Sequence, residues 1–285
     1  MTIIPTALLM TSLLFWSDRA HFDDPDNPSK KTEELITGGE KVVDFNEVKD
    51  GKVLLLVHGY NNSEEDAMKT YNNIFQYLAD AEGTEEYTHV IGYLWPGCDS
   101  SIEYFEAKKN AVQLAPRMSA ILDRLSTSCS SVDVLAHSMG NRLILEALKR
   151  HSEKDKKVIE NYFSFAAAVD DDSIEKKHVY HTSTQKCRNM VVFHSNKDEV
   201  LKYIYLLAEE DEALGGEEAI DLAKLPTNIK LIDCTEFVDG HSGYFTRQAF
   251  PIYKFISYEK EGKIDDSKWI SKKYKLVANG FAQPL

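Results

Sequence analysis

Positive charge is in short supply: 33 Lys and Arg stand against 46 Asp and Glu in 285 residues, a formal net charge of −13. That deficit excludes nucleic acid as the main partner, because binding a phosphate backbone needs a basic footprint. It also disfavours docking on anionic lipid. Cysteine is scarce. Cys98, Cys129, Cys187 and Cys234 are scattered with no CxxC or zinc-like spacing, so no metal site is expected, and the last three read as fillers of apolar gaps. No motif calls for a cofactor, and repeats are lacking. Long hydrophobic runs are lacking too. The nearest, Ile3 to Trp16, is too short for a membrane span, follows no Lys or Arg, and precedes no small-x-small cleavage site. It reads as a structural strand over residues 8–16, which predicts a cytoplasmic protein with no stable membrane insertion.

What remains is ordinary for one large globular domain: 43% hydrophobic and 11% aromatic residues. A polar, proline-containing loop is expected over residues 20–40. Apolar runs at Val53–Val57, Val90–Leu94, Val132–Ala136, Tyr162–Val169, Met190–His194 and Ile229–Asp233 alternate with helical patterns, the longest from Ile102 to Leu125 with a bend or restart at Pro116. Strands apolar on both faces and separated by helices predict a mostly parallel sheet covered on both faces. Polar clusters follow the carboxyl ends of those strands, where open α/β sheets bind ligands. The acidic stretch Glu209–Glu218 reads as a solvated loop.

Three clusters carry chemistry. In Ala136-His137-Ser138-Met139-Gly140, Ser138 sits between a buried strand and an amphipathic helix. Small residues at 136 and 140 permit the sharp turn that exposes a nucleophilic serine. A serine hydroxyl needs a base to take its proton. His241, between Gly240 and Gly243 after the last strand, is the candidate; His137 adjoins the serine and His194 precedes the expected acid. Asp198, after the penultimate strand, gives the chain order Ser, Asp, His, with Asp170 as the alternative acid. Backbone N–H groups of Met139 and of Tyr60, after His58-Gly59, are the expected oxyanion donors. His58 itself reads as hydrogen-bonded beneath that loop, with Asn61 and Asn62 fixing it. Trp95 and Tyr244 are candidates for lining a substrate pocket, Phe245 beside the latter.

Taken together, LLLVHGYNNSEEDA, YLWPG, VLAHSMGNRLILEAL and DGHSGYF resemble the bacterial α/β-hydrolase family labelled domain of unknown function 900, as does the segment Phe15–Arg19. The resemblance covers roughly Leu13 to Ile256 and implies an α/β-hydrolase fold with a serine-hydrolase-like site at Ser138, Asp198 and His241. It implies no particular substrate. A proline usual in the family is missing from Ala168-Val169-Asp170. The expected layout is an α/β-hydrolase domain over residues 1–258 and a C-terminal appendage over 259–285. The expected function is cleavage of a carboxylic ester, or a related acyl bond of a small-molecule substrate, through an acyl-enzyme on Ser138. A catalytically silent binding or scaffold protein on the same fold, or an acyltransferase using the same residues, are the alternatives. Oligomeric state is not legible.

Overall fold

The fold is taken from a computed structural model of the chain, which describes residues 11–19, 36–37, 41–42, 44–151, 156–216, 221–260 and 273–285. The described strands are β1 (Ser12–Ser17), β2 (Ile36–Thr37), β3 (Lys41–Val42), β4 (Lys52–Val57), β5 (His89–Leu94), β6 (Ser131–His137), β7 (Ile159–Phe165), β8 (Cys187–His194), β9 (Ile229–Asp233), β10 (Lys273–Leu276) and β11 (Ala282–Pro284). The helices are α1 (Glu64–Asp80), α2 (Tyr104–Ser128), α3 (Met139–Arg150), α4 (His181–Thr184), α5 (Leu206–Glu209) and α6 (Phe250–Lys260).

All the strands join one sheet in the order β11-β10-β9-β8-β7-β6-β4-β5-β1-β2-β3. From β10 through β1 every neighbouring pair is parallel, and antiparallel pairing is confined to the edges. This is the expected α/β-hydrolase fold, a mostly parallel sheet with helices on both faces. Its central strands are apolar on both sides because both sides are covered: Val53 to Val57 and Val134 to Ala136 are at most 1% exposed. From β4 the chain steps to β5 and then back past β4 to β6, which puts the loops after β4 and β6 side by side. A reversal of strand order of this kind opens a crevice at the carboxyl edge.

Several boundaries differ from expectation. Helix α2 neither stops nor restarts at Pro116. The missing N–H at 116 deprives only the carbonyl of Val112, a partly exposed residue, which water can serve. The helix expected from Tyr244 begins at Phe250, after two 3₁₀ turns, with Pro251 in its first turn where no N–H is needed. In the acidic stretch, Ala213, Leu214 and Gly215 are buried, and Asp170 forms an antiparallel bridge with Ala213. Glu209 is paired with Lys108. Glu210, Asp211 and Glu212 are exposed as the solvated reading expects, while Glu209 and residues 213–216 depart from it; residues 217–218 lie outside the described residues, as does nearly all of the 20–40 loop. Within the stretch expected as an appendage, Glu259 and Lys260 end α6, and β10 and β11 extend the sheet.

Gly140 marks a close approach between the start of α3 and the end of β4. A Cβ there would lie 2.5 Å from the His58 carbonyl oxygen and 2.7 Å from that of Val57. Both are main-chain atoms of the β4 edge, so neither swings away. Gly140→Ala is expected to cost about 1–3 kcal/mol through overpacking, read as a lower urea midpoint; an unchanged midpoint would contradict this close approach.

Candidate active site

Strand β6 ends at His137, and α3 begins one residue after Ser138. The chain makes that reversal by putting Ser138 at φ 53°, ψ −125°, a left-handed conformation rare for a residue with a Cβ. Its N–H donates to Phe165 O (3.0 Å), and its carbonyl accepts from the N–H of Asn141 (3.0 Å) and of Ala168 (3.3 Å). Asn141 adds a second clamp. Its Nδ2 donates to the carbonyls of Ala136, Ser138 and Phe165, while its Oδ1 accepts from the Tyr162 hydroxyl at 2.8 Å. The ends of β6 and β7 are thereby locked around the serine. Asn141 escaped the sequence reading because an asparagine in the first turn of a helix has many ordinary uses.

Three residues far apart in sequence meet here. His241 Nε2 lies 2.8 Å from Ser138 Oγ, and its Nδ1 lies 2.8 Å from Asp198 Oδ2. Because a carboxylate only accepts, Nδ1 carries the proton and Nε2 presents its lone pair to the serine hydroxyl. Asp198 is 1% exposed, and its other oxygen accepts the N–H of Leu201 at 3.0 Å. Asp170, the alternative acid, is engaged elsewhere: its Oδ1 accepts from the Tyr205 hydroxyl at 2.6 Å. Gly240, at φ 79°, makes the turn that swings His241 inward from the loop after β9.

The loop after β4 closes against the serine. A Cβ at Gly59 would fall 2.7 Å from Ser138 Cβ and 3.3 Å from its Oγ, so only glycine lets the chain come this near. Beyond it, the N–H groups of Asn61 and Asn62 bond to the carbonyls of Gly97 and Cys98, and Asn62 Nδ2 donates to Tyr60 O at 2.8 Å. Met139 opens α3, so its N–H has no acceptor within the helix, and the positive end of the helix dipole faces Ser138. His58 lies beneath the loop as expected. Its N–H donates to the Tyr71 hydroxyl, which donates to Tyr93 O, and its ring stacks on Trp95 at 5.5 Å.

A cavity of about 380 Å³ borders these groups, with Gly59, Tyr60, His137, His241, Ile204 and Phe245 among its lining. Two candidates for that lining lie elsewhere. Trp95 is fully buried, donating Nε1–H to His58 O at 2.8 Å, and acts as the floor under the loop. Tyr244 is fully buried too, its ring stacked on Phe165 and its hydroxyl donating to Phe193 O. In the 3₁₀ turn over residues 243–245 the neighbouring residue, Phe245, is the one turned to the cavity.

Two more imidazoles, His137 and His58, line the same cavity as His241. His137 Nε2–H donates to the His241 carbonyl at 2.9 Å, and the two rings lie 4.7 Å apart. Burial holds the pKa of His137 well below the usual histidine value, with repulsion from His241 adding to it. Burial, reinforced by the charge of Arg19, lowers that of His58 from 6.5 to about 3. Both stay neutral while His241 remains the solvent-reachable member of the group, its side chain 14% exposed.

A family model described as alpha/beta hydrolase of unknown function (DUF900) matches residues 23–242. No curated protein matches the chain. Among solved structures, the chain is similar to a 2,6-dihydroxy-pseudo-oxynicotine hydrolase (13% identity, TM-score 0.40), covering 78% of this chain and 63% of that one. It is similar to a structure from a study of the metagenome-derived lipolytic enzymes LipS and LipT (14%, TM-score 0.41; 75% of this chain and 95% of that one). Lipase B of Aspergillus fumigatus is a third (14%, TM-score 0.41; 82% and 58%). The chain thus spans less than two thirds of the first and third of these proteins.

The buried histidines predict an acid-sensitive fold. Unfolded, His58 takes up a proton near pH 6.5; folded, it stays neutral down to about 3. Below pH 6.5 the unfolded chain therefore binds the extra proton, and stability falls as pH drops towards 3. Between pH 6.5 and about 5 this costs roughly 2 kcal/mol from His58 alone, and His137 acts in the same direction. Urea unfolding at about pH 7 and about pH 5 measures the loss, and His58→Gln should flatten the dependence. Equal stability at both pH values would contradict the neutral assignment.

Proposed function

The chain belongs to the alpha/beta hydrolases of unknown function (DUF900), and on that premise we propose that it is a serine hydrolase, esterase- or lipase-like, that cleaves a carboxylic ester through an acyl-enzyme on Ser138. The observation that carries this reading is the unbroken hydrogen-bonded chain from Asp198 through His241 to Ser138, with both links at 2.8 Å. A serine held only as a turn residue has no need of an imidazole aligned on its hydroxyl.

In the proposed mechanism Ser138 Oγ attacks the ester carbonyl carbon while His241 Nε2 takes the hydroxyl proton. Asp198 keeps the imidazole in the required tautomer and stabilises the imidazolium, without itself taking the proton. The negative charge that develops on the carbonyl oxygen is met by the N–H groups of Met139 and Tyr60. When the tetrahedral intermediate collapses, the bond to the alkoxy oxygen breaks and His241 passes its proton to the departing alcohol. Water then attacks the acyl-enzyme, giving its proton to His241, and the carboxylic acid leaves as Ser138 regains its proton. An acyltransferase would differ only in the nucleophile of this second half. The two neutral imidazoles support the reading, since neither adds a positive charge that would oppose the imidazolium.

A fluorophosphonate is expected to add one phosphonyl group to the folded protein, at Ser138, and not to label Ser138→Ala. A folded protein that takes no label, or an adduct that persists in Ser138→Ala, contradicts the proposal. Asp198→Asn should lower kcat on a dissolved short-chain ester by about 10⁴-fold, whereas Asp170→Asn should leave it within a few-fold. Adding an alcohol tests the alternative second half: a new ester in place of free acid would point to acyl transfer.

A further inference from the structure

Exposed apolar side chains are not spread evenly over this protein. Among the described residues, eleven large hydrophobic side chains are exposed, and six of them lie in two short segments: Ile102 and Phe105 at the start of α2, and Tyr203, Ile204, Leu206 and Leu207 after Asp198. Ile102 is 89% exposed and Leu207 86%. Both segments border the cavity beside Ser138, the first through Ser101 and the second through Val200 and Ile204. Ile204 belongs to both, since it lines the cavity and is itself half exposed.

The two segments are fastened to each other. Tyr104 Oη donates to Glu209 Oε1 at 2.7 Å and Lys108 Nζ donates to the other oxygen, so one partly buried carboxylate joins α2 to α5. Arg142 Nη2, from α3, lies 3.5 Å from Glu209 and 3.2 Å from the Tyr205 hydroxyl. These polar contacts hold the segments side by side from beneath and leave their apolar side chains outside. Residues 200–205 form a π-helical turn, a geometry that recurs at functional sites. A clustered, exposed apolar ridge around a cavity mouth marks an interaction surface rather than scattered surface hydrophobicity.

We propose, on the basis of the serine-hydrolase reading of Ser138, that the site takes long-chain acyl esters from an uncharged or zwitterionic lipid surface on which this ridge lies. The charge pattern selects that surface. Glu103, Glu106, Glu210, Asp211 and Glu212 flank the apolar residues in sequence. They outnumber Lys108, Lys109 and the exposed Lys202 of the same segments, Lys109 being paired with Glu106, and the chain carries a formal net charge of −13. Anionic head groups are repelled by such a rim, and so is a second copy of the chain. The position of the ridge selects it too. A protein seated there closes the mouth of the cavity, whereas a lipid surface delivers the substrate into it. The acyl chain enters between Ile204 and Phe245, and whatever length exceeds the cavity stays against Leu207 and Ile102.

Flotation of the Ser138→Ala protein with phosphatidylcholine vesicles tests this without hydrolysing the lipid. The protein should float with the vesicles, and adding phosphatidylserine should reduce the bound fraction. Ile102→Ser with Leu207→Ser should weaken binding by about tenfold or more, since interfacial binding scales with the apolar area inserted. With Ser138 intact, the same pair should lower the ratio of turnover on an emulsified long-chain ester to turnover on a dissolved short-chain ester. No flotation, equal flotation of the double variant, or a dimer in sedimentation velocity that the double variant dissolves overturns the inference. Turnover of the dissolved ester without flotation overturns it while leaving the serine-hydrolase reading intact. Flotation without turnover of either ester overturns that reading, and the inference with it.

Discussion

Everything at the carboxyl edge of the sheet depends on one main-chain conformation, the left-handed φ of Ser138. A residue with a Cβ pays about 1–3 kcal/mol to adopt such a geometry, and keeps it only where the surroundings over-determine it. Here they do. The serine's own N–H bonds to the last residue of β7 and its carbonyl to Ala168 just beyond, and the Asn141 side chain reaches three carbonyls at once. Gly59 and Gly140 supply the missing side chains that allow the ends of β4 and β6 to come together. Without that turn, Ser138 Oγ would not reach His241, and the helix dipole of α3 would not start where it does.

The second organising theme is where charge is tolerated. Burial keeps His58 and His137 neutral, and each uses its one N–H to fix main chain: His58 Nδ1–H to Gly59 O, His137 Nε2–H to His241 O. Neutral rings serve as braces here, and His241 is the one of the three whose Nδ1 meets a carboxylate. Away from the site, two buried ion pairs lie inside the fold, Asp18 with Arg117 and Lys230 with Glu259. A buried charge without a partner is far more costly than one that is matched.

The local signals proved readable where they were local. Val53–Val57 and Val132–Ala136 announced central strands by apolarity on both faces, and the small residues around Ser138 announced the turn. Chain order alone ranked Asp198 above Asp170, and the hydrogen bond to His241 lies with Asp198. What stayed hidden depends on contacts between distant parts of the chain. Tyr244 and Phe245 are adjacent aromatics in one tight turn, and nothing in the sequence says which faces the core. Trp95, a candidate for lining the pocket, is instead a floor, held by a bond to His58 on another element. Glu209 opens a run of acids that reads as solvated, yet its own partners, Tyr104 and Lys108, lie about a hundred residues away on another element.

Asp198 is the joint between two parts of the molecule that are otherwise described separately. One of its oxygens holds the Nδ1–H of His241, and the other holds the N–H of Leu201, at the start of the π-helical turn that carries the apolar ridge. A single rigid carboxyl group thus ties the orientation of the imidazole to the position of that segment. The ridge and the imidazole share one carboxyl group as their common anchor.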